Sequence, residues 1–279
     1  MLTIGIPAYN EEKSIKNTIL NILPQINKND ELLIVASGCT DNTVNIVKSI
    51  NNKRIKIITQ SERRGKVSGT NIILANAKGE IIILIDADVI ISKESIKKIV
   101  SNFDDPQVGA SCARVANFQK ITLFDKIQGL GWEGLDQQKR EENKKGTFYA
   151  LNGYLQAIKN GIVNQLDEKY LLDDALLGWE IKNKGYKIIY DYEICAYVKA
   201  AQNLKDYIAQ KSRNRVGWWQ MTKKGMKIKE RRNFKQLKYL FKSPYAWLYV
   251  SLDILIWIKA YIDFHLGKSY WQEIKSSKI

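Results

Sequence analysis

Short apolar runs alternate with amphipathic stretches along the first hundred residues. Residues 2–7, 32–36, 54–59 and 81–85 are short, β-branched and nearly continuous in apolar character, which predicts strands buried on both faces. Between them, residues 11–23, 41–50 and 66–77 carry apolar side chains at helical spacing. Strands alternating with helices predict the α/β class and a doubly wound, mostly parallel sheet. Ligands bind such sheets beyond the carboxyl ends of the strands. That directs attention to residues 7–11, 37–41 and 86–88, all polar or acidic segments.

The middle of the chain is less regular. Residues 108–115 and 147–151 read as strands, 121–139 as a helix, and 174–183 as a helix ended by Gly185. Residues 187–190 and 194–198 read as further strands. No internal repeat or Gly/Ser linker marks a boundary before about residue 200, where the chain turns basic and helical, then aromatic and apolar.

Composition narrows the chemistry. The 279 residues, 45% hydrophobic with only 4 Pro, exclude a disordered or collagen-like chain and leave room for a sizeable core. Cys39, Cys112 and Cys195 are widely spaced with no CxxC, which excludes a disulfide framework or zinc ribbon and fits a reducing compartment. His265 is the single histidine, so Ser-His-Asp triads and multi-His metal sites are excluded. Acid, base and metal chemistry must then rest on carboxylates. The start MLTIGIPAYN lacks the basic and long apolar regions of a signal peptide, which predicts a cytoplasmic protein.

Asp86-Ala87-Asp88 follows the apolar run IIILI. Two carboxylates at a strand end offer hard oxygens to Mg²⁺ or Mn²⁺, ions that keep waters and also bind substrate phosphates. A solvated acidic turn is the alternative. Residues 7–11 end one strand and open a helix whose amides either serve a ligand or are simply capped by Asn10, with Glu11 and Glu12 complementing the dipole. Asp173-Asp174 likewise reads as a helix-start acidic pair or as a catalytic base with a like-charged neighbour that raises its pKa.

Taken together, IPAYNEE, SGCTDNT, RRGK and DADV, in that order and spacing, resemble family 2 glycosyltransferases. LNGY, LLDDALLGWEI and QKSRNRVGW fall where that family has its acceptor loop, catalytic acid and basic motif, so the resemblance covers about residues 1–220. It implies the GT-A fold, with a nucleotide-sugar half at about 1–105 and an acceptor half at about 106–220. It implies that Pro7, Ala8, Tyr9 and Glu11 line the base and ribose pocket. Asp86 and Asp88 would meet the ribose and diphosphate, Asp88 being the principal metal ligand. Asp174, with Asp173 beside it, would be the general base, and Gln210 and Arg213 would contact the diphosphate. Lys66 and Arg213 would supply positive charge where the diphosphate leaves. Two positions depart from the family pattern: Ser37 stands where an Asp usually pairs with uracil, and Asn214 replaces the Trp of QxxRW, which argues against a polymer-making enzyme.

Residues 205–242 hold 13 Lys and Arg against 2 Asp and Glu, most of the chain's net +15. Residues 245–264 are mostly apolar but interrupted by Asp253, Lys259 and Asp263, which fall on one arc of a helical wheel. Three central charges cost more than the apolar residues repay in a spanning helix. This predicts that residues 221–279 form a basic, amphipathic tail lying on an anionic membrane surface. Lys223, Lys224, Lys227, Lys229, Arg231, Arg232, Lys235 and Lys238 would meet lipid headgroups, and Tyr245, Trp247, Tyr249, Trp257, Tyr261, Tyr270 and Trp271 the headgroup boundary. A solvated run followed by a core helix, or a homodimer contact, are the alternatives. The expected enzyme is an inverting transferase using a nucleotide-diphosphate sugar, Mg²⁺ or Mn²⁺, and a lipid-linked or membrane acceptor at the cytoplasmic face of the membrane. A transferase with a soluble acceptor, and a non-catalytic nucleotide- or nucleic-acid-binding protein, are the competing readings. No RRM, OB or helix-turn-helix pattern supports nucleic acid.

Overall fold

The structure, a computed structural model, describes residues 1–119, 122–148, 150–225 and 243–267. Its first half follows the predicted alternation: β1 (Leu2–Ala8), α1 (Ile15–Ile22), β2 (Glu31–Ser37), α2 (Thr43–Ser49), β3 (Ile55–Gln60), α3 (Lys66–Asn76) and β4 (Ile81–Ile85). β1 pairs in parallel with β2 and β4, so that Ile4 lies opposite Leu32 and Ile83. β2 is buried along its whole length, as its apolar run predicts. β3 is not buried on both faces; it is the outer strand, and Lys56 and Thr59 face solvent while its isoleucines are half-buried.

The second half adds β5 (Val89–Ile91), α4 (Ser95–Ser101), β6 (Val108–Asn117), α5 (Leu123–Lys144), β7 (Leu155–Lys159), α6 (Asp173–Asn183) and β8 (Lys187–Val198). Two long helices follow, α7 (Leu204–Lys223) and α8 (Ala246–His265). The eight strands form one sheet in the order β3-β2-β1-β4-β7-β6-β8-β5. β7 runs antiparallel to both β4 and β6, and β5 runs antiparallel to β8.

Several expectations are corrected. The strand expected at 147–151 does not form. Phe148 and Leu151 instead bury their side chains from a loop, Asn152 donates its amide to the Ala113 carbonyl, and β7 takes the gap between β4 and β6. The two strands expected at 187–190 and 194–198 are one strand, β8, with a bulge where the register jumps from Asp191 to Cys195. α1 starts at Ile15 rather than residue 11, because the amides of Ser14 and Ile15 first close a turn on the Glu11 carbonyl. The hydrophobic pattern does not signal β5 or α4; three apolar residues are too few to mark a strand.

Helices cover both faces of the sheet. Ile4, Ile6, Ile34 and Ile83 pack with Ile15, Ile19 and Ile22 of α1 on one side. Leu33, Val35 and Leu84 pack with Ile73 of α3 and Leu176 of α6 on the other. α8 packs against α7: Leu252 and Ile256 join Tyr207, while Ala260 joins Val216. Lys223 and Lys224 close α7. The remaining basic residues expected to meet lipid (Lys227, Lys229, Arg231, Arg232, Lys235, Lys238), together with Tyr270 and Trp271, lie outside the described residues. Among the described residues no helix is long and apolar enough to cross a membrane.

Candidate active site

The carboxyl ends of β1, β2 and β4 open onto one cleft of about 190 Å³, closed on the opposite side by the start of α6 and one face of α7. All twelve residues singled out from the sequence line it: Pro7, Ala8, Tyr9, Glu11, Ser37, Lys66, Asp86, Asp88, Asp173, Asp174, Gln210 and Arg213. They are drawn from positions up to about two hundred residues apart: the parallel strands bring Pro7, Ala8, Ser37, Asp86 and Asp88 to one edge of the sheet, and the starts of α3 and α6 and one face of α7 bring Lys66, Asp173, Asp174, Gln210 and Arg213.

At the β1 end, Glu11 is buried and fixed from both sides. Its amide donates to Thr43 Oγ1 at 2.7 Å, and its carboxylate accepts from Ser14 Oγ at 2.6 Å. Tyr9 carries the Arg63 guanidinium 4.0 Å above its ring. The Ser37 hydroxyl accepts from the Arg64 amide at 3.3 Å, so the second strand's end is bound to the Arg63–Arg64 loop. Gly38 permits this closeness: its φ is +62°, and a Cβ there would sit 2.4 Å from the Arg63 nitrogen.

The centre is a buried acid–lysine cluster. Lys66, the first residue of α3, places its ammonium 2.7 Å from Asp86 Oδ1 and 3.5 Å from Asp173 Oδ1. It also donates to the Gly153 carbonyl at 3.5 Å. Burial works against the lysine's charge, but Asp173, Asp86 and Asp174 together hold its pKa above the ordinary range. Lys66 is therefore ion-paired with two carboxylates at the centre of the cleft. Burial, opposed by Lys66 and aided by Asp88, pushes Asp86 up to about 7. Asp173 also accepts from Thr70 Oγ1 at 3.1 Å. Asp174 lies in the first turn of α6 and accepts from the Ala175 amide at 2.8 Å. Its pKa is raised, first by burial and then by the Asp173 charge beside it, with Lys66 pulling the other way. The adjacency argument from sequence thus has the right sign, with burial the larger cause.

α7 supplies the far wall. Gln210 accepts from Gln128 at 3.3 Å. Arg213 is pulled down to about 10 by burial, against the opposing pull of Tyr154, Asp86 and Asp88, and it keeps its charge at neutral pH. Asn214 and, one turn on, Trp218 also line the cleft, so an indole reaches it from a later turn than in the QxxRW pattern. Arg63, Gly153, Tyr154 and Leu172 line it as well and were not among the predicted residues. The RRGK and LNGY motifs contain Arg63 and Gly153, so their signal was present in the sequence. Leu172 carries no signal beyond adjacency to Asp173.

The sequence profile described as Glycosyl transferase family 2 matches residues 3–166, more than half of the chain. The chain belongs to that family. Poly-beta-1,6-N-acetyl-D-glucosamine synthase of Staphylococcus aureus is 24% identical over 263 residues, covering 92% of this chain and 62% of the relative. The Staphylococcus epidermidis protein of the same name is 21% identical, and this chain covers 61% of its length. The chain thus spans about three fifths of the curated relatives it matches. Among solved structures, a mannosyltransferase from Pyrobaculum calidifontis in complex with GDP-Man and Mn²⁺ superposes with a TM-score of 0.64. That match is 19% identical and covers 96% of this chain and 83% of the other. Staphylococcus aureus TarS superposes with a TM-score of 0.52 at 15% identity, covering 97% of this chain and 93% of the TarS chain. These likenesses show the GT-A type of fold, and the family is one of glycosyltransferases.

Among the described residues no group of three or more His, Cys, Asp or Glu converges as a self-sufficient metal centre. The donor set nevertheless fits Mg²⁺ or Mn²⁺ of the kind held by one or two carboxylates and completed by substrate phosphates. Asp86 is engaged by Lys66, so Asp88 would be the principal protein ligand of such an ion.

Proposed function

We propose that the cleft transfers a sugar, with inversion, from a nucleoside-diphosphate sugar to a hydroxyl of a lipid-linked or membrane-held acceptor. The observation that carries this is the convergence, in one cleft, of the strand-end carboxylates, a base with raised pKa and the Arg213 cation. The GDP-Man and Mn²⁺ held by the Pyrobaculum mannosyltransferase support a nucleotide-sugar donor and a divalent cation here.

In this reading Pro7, Ala8, Tyr9, Glu11 and Ser37 seat the base and ribose, with the Arg63–Tyr9 pair as a platform. Asp174 accepts the proton of the acceptor hydroxyl as its oxygen attacks the anomeric carbon, and the nucleoside diphosphate departs on the opposite side. Help of this kind contributes about 10²–10⁴-fold. Asp173 and Lys66 position Asp174 and Asp86. Gln210 and Arg213 receive the departing diphosphate, where a fixed positive charge in a partly desolvated site is most effective. Asp88, with Asp86, would hold Mg²⁺ or Mn²⁺, which when bound neutralises phosphate charge. Residues 1–220 form the catalytic unit, and residues 221–279 hold it peripherally at the cytoplasmic face of the membrane.

The test is release of nucleoside diphosphate from UDP-, GDP-, CDP- and dTDP-sugars, with and without Mn²⁺, by wild type and Asp174→Asn. Metal-dependent release from one donor class, lost in the variant, is expected. Release from none of them, with or without detergent-solubilised membrane extract as acceptor, would contradict the proposal.

A further inference from the structure

α5 stands behind the far wall of the cleft, and its place is fixed at several points. The Thr122–Asp125 capping box starts the helix. Asn117 of β6 donates its amide to the Asp125 carbonyl at 2.6 Å, and Gln202, just before α7, donates to Asp125 Oδ1 at 3.0 Å. Gly129 lets α5 and β6 meet closely, since a Cβ there would sit 2.9 Å from Asn117 Nδ2. Four residues beyond Gln128, Trp132 meets the cleft-lining Tyr154 edge-on, with ring centres 6.4 Å apart. The Lys211 ammonium of α7 lies 5.9 Å from the Trp132 ring. Residues four apart share one face of a helix, so Gln128 and Trp132 lie together on the face of α5 that backs the cleft wall.

Gln128 is only 1% exposed. Its Nε2 donates to Gln210 Oε1 at 3.3 Å, while its own Oε1 has no hydrogen-bond partner among the described residues. A buried amide with an unpaired oxygen costs stability that an apolar side chain of similar length does not. Packing alone therefore does not account for a glutamine here, whereas its effect on Gln210 does. A glutamine amide offers an acceptor oxygen and a donor nitrogen. With the Gln210 oxygen held by α5, the nitrogen is what remains for the cleft, on the same face of α7 as Arg213.

We propose that Gln128 is a positioning residue for diphosphate binding: it holds the Gln210 amide with its nitrogen toward the cleft, so that Gln210 donates to the diphosphate next to Arg213. The inference rests on the nucleoside-diphosphate site proposed above and deepens it. An amide free to turn presents its oxygen as well as its nitrogen, and the oxygen repels phosphate. Fixing the amide before the ligand arrives removes that ordering cost from binding. Gln128 itself touches no substrate and acts through Gln210.

The test is a double-mutant cycle read by calorimetry of UDP, GDP, CDP and dTDP, each with Mn²⁺. Gln128→Met and Gln128→Leu keep the bulk of the side chain and drop its donor. Each is made alone and together with Gln210→Leu, and every protein is also unfolded by heat. For the nucleotide that wild type binds, either replacement should raise Kd by about 3–10-fold, the contribution of one hydrogen bond, with an unfolding midpoint at or above that of wild type. In the Gln210→Leu background neither should weaken binding further. A Kd equal to wild type in both Gln128 variants would overturn the inference. So would weakening as large with Gln210→Leu as without it, because a merely structural contact of α5 acts whatever stands at position 210. Absence of binding by wild type to all four nucleotides would overturn the transferase reading together with the inference, so the two failures are distinguishable.

Discussion

In the proposed reading Asp174 is the base, and its neighbours set the pH at which it is ionised. Because burial and Asp173 raise its pKa, the acidic limb of kcat/KM should lie above the ordinary carboxylate range. A base must be ionised to act, so activity falls as pH falls through that raised value. Asp173→Asn removes the like charge and should move the limb toward lower pH without bringing it fully back, since burial is the larger cause; a limb that does not move would contradict the assignment. Asp174→Asn should lower kcat by about 10²–10⁴-fold while donor affinity, measured by calorimetry, stays within a few-fold. At Gly153 an added Cβ would sit 2.8 Å from the Lys66 ammonium. Gly153→Ala should therefore displace the lysine from Asp86 and Asp173, cutting turnover while leaving circular dichroism unchanged.

Between elements, the critical joint is α6 against α7, which fixes the distance from Asp174 to Arg213. Gly217 makes it possible, because a Cβ at this position would lie 2.5 Å from Leu172 Cγ. Gly217→Ala overpacks that contact and should cost about 1–3 kcal/mol in urea unfolding, with loss of donor affinity as α7 is pushed away. Strands with continuous apolar runs and helices with clear periodicity are legible from sequence, β1, β2, β4 and α1 among them. The segment at 147–151 was not, because burial of Phe148 and Leu151 gives a loop the same apolar signature as a strand. β8 was read as two strands because the polar Asp191 to Glu193 stretch of its bulge looks like a turn. On α8 the wheel placed three charges on one arc, but only packing decides which arc faces the protein; ordinary surface helices turn theirs outward, and here Arg215 draws Asp253 inward.

At the scale of the molecule, the proposed reading has the ends of β1, β2 and β4 seat the nucleotide and α6 bring the base, while α7 forms the far wall of the cleft and packs on α8. Most of the site was legible because parallel strands deliver their carboxyl-end residues to one edge whatever their sequence separation. Arg63 and Tyr154 lie inside the RRGK and LNGY motifs, but a motif does not say which of its side chains turns into the cleft. The ion pairing of Lys66 was also invisible, since sequence gives no distance between α3 and Asp86.

The central claim is a nucleotide-sugar site that uses Asp88. It is tested most directly by thermal unfolding of wild type and Asp88→Ala with UDP, GDP, CDP and dTDP, each with and without Mn²⁺. A ligand at 100 times its Kd stabilises by about 2.7 kcal/mol, which for a chain of this size raises Tm by about 5 °C. The account predicts a Mn²⁺-dependent rise of that order for one nucleotide and its loss in Asp88→Ala. No rise with any nucleotide, or an equal rise in the variant, would contradict it.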